Sequence, residues 1–309
     1  MKAKISVIGA GNVGATTAEL IARDGLADVV LFDIHEGLAK GKALDILEAC
    51  PLWNSAVSVT GTASYEDTAG SDIIVITAGF PRKPGMSRDD LLHANADVIK
   101  AVTEGTVRYS PDSIIVVVTN PMDVMAYTSM KMSRFESRRV IGMGGILDSA
   151  RFRTFISMEL EVSPEDVEAL VLGGHGDQMV PMPRFTTVKG ISITELLDKS
   201  SIERLIERTR HGGAEIVGLL KTGSAYYAPA ASTVQMVKAI VFNEKRMLPC
   251  SVYLAGEYGF SDIYLGVPVV LGRHGIESIV PLELSHEEKD MFAKSASAVK
   301  SMIDTLKQS

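Results

Sequence analysis

Four short stretches of this 309-residue chain carry side chains that could do chemistry together: "GFPRKPGMSRDD" (79–90), "TNPMD" (119–123), "LDSARFR" (147–153) and "GGHGDQMVP" (173–181). Histidine titrates near neutral pH, so His175 can take up and return a proton. A working imidazole base needs its other nitrogen oriented, and Asp148 is the best candidate for that carboxylate. Asp148 and Arg151 are three residues apart and share a helix face; in isolation they are a weak surface ion pair. Arg151 can also grip a carboxylate-bearing substrate with a planar, two-pronged donor, which lysine lacks. A base, its orienting acid and a carboxylate clamp match hydride transfer from an alcohol that carries a carboxylate. Taken singly, each stretch has a plainer explanation. His175 can be a polar loop residue, Asn120 before Pro121 a turn, and Arg82, Lys83 and Arg88 solvated charges on a Gly/Pro-rich loop.

A fifth stretch, "GAGNVG" (9–14), follows an apolar run and opens a helix-like segment. Gly9 permits a tight turn, Gly11 lets the backbone approach a pyrophosphate, and Gly14 lets the helix pack near the strand. Such a pattern alone can mark a turn that merely needs glycine. Here Asp33 closes the next strand, where a carboxylate accepts hydrogen bonds from a ribose diol and repels a 2′-phosphate. No arginine follows in "DIHEG", so NAD is expected rather than NADP.

These residues must be held by elements, and the chain shows a rhythm that supplies them. β-Branched runs at 5–8, 29–32, 57–60, 73–77 and 114–118 alternate with helix-like segments at 13–23, 38–48 and 91–108. Continuous apolar strands between helices predict a parallel sheet covered on both faces, with a ligand crevice at one strand edge. From 144 the pattern changes to helices near 148–161, 202–219 and 230–243, with strand candidates at 170–172, 251–254 and 267–271. "SPED" (163–166) has the composition of a helix start, and "SHEE" (285–288) has capping-box spacing. Phe292, Ala296, Val299, Ile303 and Leu306 then form the buried stripe of a last helix. The expected fold class is α/β: a doubly wound Rossmann sheet at 1–143, followed by an α+β catalytic domain at 144–309.

Composition sets the outer limits. With 46% apolar and 22% charged residues the chain can build an ordinary core. The net charge of −7 gives no support to a nucleic-acid partner. Cys50 and Cys250 are too few for a disulfide framework, and His35, His93, His211, His274 and His286 show no metal-ligand spacing. The start "MKAKISVIGAG" enters a buried strand without a secretory or transit pattern, and no apolar run approaches a membrane span. A soluble cytoplasmic protein is expected.

"GAGNVG", "TAGFPRKPGMSR", "TNPMD", "LDSARFR" and "GGHGDQMVP" occur in the order and at the separations found in NAD-dependent lactate/malate dehydrogenases. The chain resembles that family over essentially its whole length, and most of all its lactate-dehydrogenase-like malate enzymes. The resemblance implies that His175 is the proton acceptor, Asp148 its partner, and Arg151 the clamp on the C1 carboxylate. Arg88, on a mobile loop, would polarise the C2 oxygen. Asn120 would bind substrate and the nicotinamide ribose region, with its bond to Pro121 cis. NAD would lie against Gly9, Ala10, Gly11, Asn12, Val13, Gly14, Asp33, Thr77, Ala78, Gly79, Asn95, Val118 and Asn120. Arg82 stands where lactate dehydrogenases usually carry glutamine, so it is expected to bind the far carboxylate of malate or oxaloacetate. Ser224 and Ala225 stand near a threonine position of the lactate enzymes, where a small residue leaves room for a longer acid. The resemblance also implies a homo-oligomer, a tetramer more than a dimer, with contacts near 14–23 and 202–219, although "EIVGLL" (215–220) could equally be core. Three alternatives stay open: another 2-hydroxy-acid dehydrogenase, a non-catalytic NAD-binding protein, and an NAD-using glycosidase.

Overall fold

The computed structural model describes residues 2–81 and 87–307. The first half alternates β1 (Lys4–Ile8), α1 (Asn12–Arg23), β2 (Asp28–Phe32), α2 (Glu36–Ala49), β3 (Val59–Thr62), β4 (Ile73–Ile76), α3 (Arg88–Val107), β5 (Ile114–Val117), α4 (Met122–Ser133) and β6 (Val140–Gly142). There follow α5 (Gly145–Leu160), the two-residue strands β7 (Val167–Glu168), β8 (Val171–Leu172), β9 (Val180–Pro181), β10 (Thr187–Val188) and β11 (Ile191–Ser192), and a short α6 (Ile193–Leu196). Helices α7 (Lys199–Leu220) and α8 (Tyr227–Val241), strands β12 (Arg246–Ala255), β13 (Ser261–Gly272) and β14 (Gly275–Ile279), and α9 (His286–Lys307) complete the chain.

Six strands pair in parallel in the order β3-β2-β1-β4-β5-β6. Their residues are apolar on both faces because helices cover both sides; Ile5, Val7, Ile73, Val75, Ile115 and Val117 are fully buried. The order reverses between β1 and β4, which opens a crevice at their carboxyl ends. Beyond β6 the sheet continues antiparallel through β12, β13 and β14, so one nine-stranded sheet runs through both halves. Ser251 of β12 pairs with Gly142 of β6 at the junction.

Local sequence rules account for most element ends. Ser87 and Asp90 exchange hydrogen bonds in a capping box at the start of α3. At α9, Ser285 N–H donates to Glu288 Oε2 at 2.7 Å and Glu288 N–H donates to Ser285 Oγ at 3.2 Å. Phe292, Ala296, Val299 and Ile303 are buried in the main core, and Leu306 is half-buried. The end of α9 is tied down by Asp262, which accepts from Lys307 at 3.0 Å, Lys131 at 3.2 Å, and Tyr127 and Tyr253 at 3.0 and 3.3 Å.

The structure departs from the sequence expectations in several places. The third strand is Val59–Thr62, two residues later than the run at 57–60. "SPED" makes only a 3-10 turn, Pro164–Asp166: Ser163 caps it, but buried Val167 pairs at once with Val188 in a sheet, which stops a helix. The second-half strands expected at 251–254 and 267–271 are 10 and 12 residues long. Helix α4 carries no periodic signal in the sequence because Met122 to Ser129 are all buried, so no polar face marks the 3.6-residue period.

Candidate active site

At the crevice, Gly9 has φ +108°, and a Cβ there would lie 2.7 Å from Ala78 N, so only glycine fits. Gly14 is tighter: a Cβ would stand 1.8 Å from Gly9 O and 2.6 Å from Thr77 Oγ1. Gly11 differs from both. Its φ is −65°, open to any residue, and no described atom lies within 4 Å of its Cβ position. Nothing among the described residues requires glycine there, as expected where a diphosphate must approach the backbone. Asn12 and Val13 begin the helix whose free N–H groups face that space.

Asp33 is held at the end of β2 by Ala10 N–H (2.8 Å to Oδ2) and His35 N–H (2.9 Å to Oδ1). It stands at a cavity of about 370 Å³ whose walls include Gly11, Ile34, Leu38, Ala78, Gly79 and Val98. Phe32 and Tyr65, also in the wall, stack at 4.3 Å. An apolar slot with a carboxylate at its side fits a flat base and the adjoining ribose diol. Thr77 Oγ1 donates to Gly9 O at 3.1 Å, Thr119 Oγ1 to Ala78 O at 2.7 Å, and Val118 N–H to Ile76 O at 2.9 Å, which brings the β4 and β5 ends together. Lys42 donates to Ala10 O at 2.8 Å, a support for the glycine turn that no motif announced.

The proton-handling group lies across the sheet edge. Asp148, in the first turn of α5 and 2% exposed in its side chain, accepts from His175 Nδ1 at 2.8 Å. That bond places the proton on Nδ1 of the neutral ring and leaves Nε2 as the base. One turn along, Arg151 Nη1 stands 3.4 Å from the other oxygen of Asp148. Arg151 Nε is buried with no hydrogen-bond partner among the described residues, while Gly212 and Gly213 of α7 lie against the side chain. A buried guanidinium with an unused donor is costly to the fold and ready for an incoming carboxylate.

Burial opposes charging His175, but the Asp148 carboxylate and then Asp123 outweigh it and hold the imidazole above its ordinary value; Arg151 pulls the other way. Burial likewise lowers Arg151, partly countered by Asp148. The main chain of the histidine loop is fixed as well. His175 N–H donates to Asp123 Oδ2 at 2.7 Å and Gly174 N–H to Ser295 Oγ at 2.8 Å. The sequence motifs contained Asp123 but assigned it no part, and nothing local singled out Ser251 or Ser295.

Arg88 is the first residue of α3, exposed, with Nη2 3.5 Å from Asp177 Oδ2 in the histidine loop. Arg82 falls in 82–86, outside the described residues. Asn95 is buried and joins two segments of the site: it accepts from Phe80 N–H at 2.7 Å and donates to Phe80 O at 3.1 Å and Asn120 O at 2.7 Å. Asn120 is exposed at the end of β5 and its bond to Pro121 is cis. Ser224 and Ala225 lie in the turn between α7 and α8.

Two family models match the chain: lactate/malate dehydrogenase, NAD binding domain, at residues 3–142, and lactate/malate dehydrogenase, alpha/beta C-terminal domain, at 146–309. The chain belongs to the lactate/malate dehydrogenase family. A malate dehydrogenase of Roseiflexus castenholzii is 55% identical over 308 residues, covering 100% of both chains. The crystal structure of Cryptosporidium parvum malate dehydrogenase matches with a TM-score of 0.97 at 44% identity, covering 100% of both chains. A lactate dehydrogenase from the same organism, complexed with lactic acid and nicotinamide adenine dinucleotide, also reaches 0.97, at 40% identity over 100% of this chain and 99% of that one. NAD is the cofactor of this lactate/malate dehydrogenase, and the open Gly11, the Asp33 carboxylate and the apolar slot fit it. The backbone is the same for malate and lactate enzymes, so substrate choice rests on side chains.

Proposed function

We propose that the protein is a malate dehydrogenase, interconverting (S)-malate and oxaloacetate. The observation that carries this proposal is the buried trio of His175, Asp148 and Arg151, with a 2.8 Å imidazole–carboxylate bond beside an Arg151 Nε that is unpaired among the described residues. Bound NAD, held by the Gly9–Gly14 turn and Asp33, would supply the hydride acceptor for C2. His175 Nε2 receives the hydroxyl proton, and Asp148 stabilises the imidazolium that results. Arg151 clamps the C1 carboxylate, Arg88 polarises the C2 oxygen, and Asn120 orients substrate. In the reverse direction the protonated His175 returns its proton to the nascent alkoxide.

Malate is favoured over lactate because the chain has Arg82 where lactate enzymes carry glutamine, and because full-length relatives above 50% identity are named malate dehydrogenases. A guanidinium facing a methyl group in a closed site would be buried and unpaired, a loss of several kcal/mol. The same proposal includes the division into an NAD-binding unit to residue 143 and a catalytic unit from 144. It also includes a homotetramer, a cytoplasmic location and a place in the tricarboxylic acid cycle. No described helix is long and apolar enough to cross a membrane. Initial rates of NADH oxidation with oxaloacetate, pyruvate and 2-ketoisocaproate test the proposal. Oxaloacetate should give the highest kcat/KM by orders of magnitude, and equal values with pyruvate would refute the role of Arg82.

A further inference from the structure

Asp123 closes the motif "TNPMD", yet none of the roles above uses it. It is the second residue of α4 and is 3% exposed. Both of its oxygens are engaged. Oδ2 accepts the main-chain N–H of His175 at 2.7 Å, and Oδ1 accepts the hydroxyl of Ser251, a fully buried residue of β12, at 2.6 Å. Two buried carboxylates thus hold one histidine, Asp148 by its ring and Asp123 by its backbone.

We propose that Asp123, steadied by Ser251, is a positioning residue for His175: it fixes where the imidazole stands and, as a second negative charge, sets the pH at which His175 exchanges its proton. The proposal rests on His175 being the proton acceptor. A buried carboxylate is costly, and asparagine could satisfy both hydrogen bonds because the Ser251 hydroxyl can turn to accept. What asparagine lacks is the charge that favours the imidazolium. The first turn of α4 offers that charge a favourable site at a helix N-terminus. Burial pushes the Asp123 carboxyl up from its ordinary value; the Ser251 hydroxyl and the His175 N–H draw it back, and Asp148 opposes them. Among the described residues, the charged groups around His175 are Asp148 and Arg151 from α5, Asp123 from α4, and the exposed Arg88–Asp177 pair, whose Asp177 lies in the histidine loop. Ser251 from β12 and Ser295 from α9 contribute neutral hydroxyls.

Asp123→Asn keeps the hydrogen bonds and deletes the charge. An NMR titration of His175 in the ligand-free protein should then show its pKa lower by roughly one unit. The acid limb of the kcat/KM profile for malate oxidation, which needs neutral His175, should move to lower pH by the same amount. Ser251→Ala removes the donor that favours the Asp123 anion, so it should shift His175 the same way by less. The double variant should titrate as Asp123→Asn does, because serine acts only through the aspartate. If both single variants leave His175 within about 0.2 unit of the wild type, the proposal is overturned. A Ser251→Ala shift that persists undiminished beside Asp123→Asn also overturns it. Should Asp123→Asn fail to fold, an unchanged titration in Ser251→Ala is decisive against it. The titration needs no substrate. A protein that titrates as expected but does not reduce oxaloacetate would defeat the malate dehydrogenase assignment alone.

Discussion

Gly11 and Gly14 lie three residues apart in one loop, and replacing each by alanine should give opposite phenotypes. At Gly14 the new Cβ would be 1.8 Å from Gly9 O, where a carbon–oxygen contact needs about 3.4 Å. Roughly 1.5 Å must be made up by moving backbone against backbone, because the second neighbour, Thr77 Oγ1 at 2.6 Å, closes the other side. Overpacking of that kind costs about 3 kcal/mol, against which alanine's better helix propensity returns about 1 kcal/mol. The net loss of about 2 kcal/mol corresponds to a fall in Tm of about 3 °C for a chain of this size. At Gly11 the backbone is already in a conformation alanine adopts, and the Cβ meets no described atom. Gly11→Ala should therefore unfold within about 1 °C of the wild type. Its methyl would instead occupy the space into which the cofactor diphosphate must come, weakening NADH binding by about 30-fold, or about 2 kcal/mol. Thermal unfolding of the ligand-free variants and fluorescence titration with NADH measure the two effects separately. Gly11→Ala binding NADH within about twofold of the wild type would refute the close-approach argument, and an unchanged Tm for Gly14→Ala would refute the packing argument.

Asp148→Asn should lower kcat by about 10²–10⁴-fold, since the ring loses its counter-charge and the carboxylate that fixes its tautomer. Because His175 is held above its ordinary 6.5, its contribution to stability is complete below pH 6.5 and lost as pH rises through the folded value. The stability gap between wild type and Asp148→Asn in urea should accordingly narrow from pH 6 toward pH 9, and a gap that widens would be contrary to the assignment. Arg82→Gln should shift preference from oxaloacetate toward pyruvate; specificity constants for the two acids check it, and undiminished oxaloacetate selectivity would exclude Arg82. Asn95→Ala removes three hydrogen bonds of a buried amide, so a loss of about 2–4 kcal/mol is expected in denaturant unfolding. Asp262 is drawn down to about 2 against its own burial by Lys307, Tyr127 and Lys131, so its support is present above pH 3.8 and lost as pH falls toward 2. Asp262→Asn should loosen the end of α9, seen as faster amide exchange there at pH 7 and a smaller difference from the wild type at pH 2.

The glycine turn, Asp33 and the five apolar strands of the first half were legible in the sequence because each depends on local conformation or on a simple alternation of strand and helix. The Asp148–Arg151 pair was legible for the same reason, since three residues along a helix define one face. The capping box of α9 and its buried stripe follow from positions a few residues apart. Helix α4 and the short strand β6 escaped because total burial erases the polar face that reveals a period. The junction of Ser251 with Gly142, and with it one sheet through both halves, joins residues more than a hundred positions apart. Only that tertiary pairing brings the Ser251 hydroxyl to Asp123, and only the meeting of α4, α5 and the histidine loop places two carboxylates on one imidazole. Residue types and spacing along the chain specify which groups are available. The proton affinity of His175 depends on burial and on charges from three separate elements, and those exist only once the chain is folded.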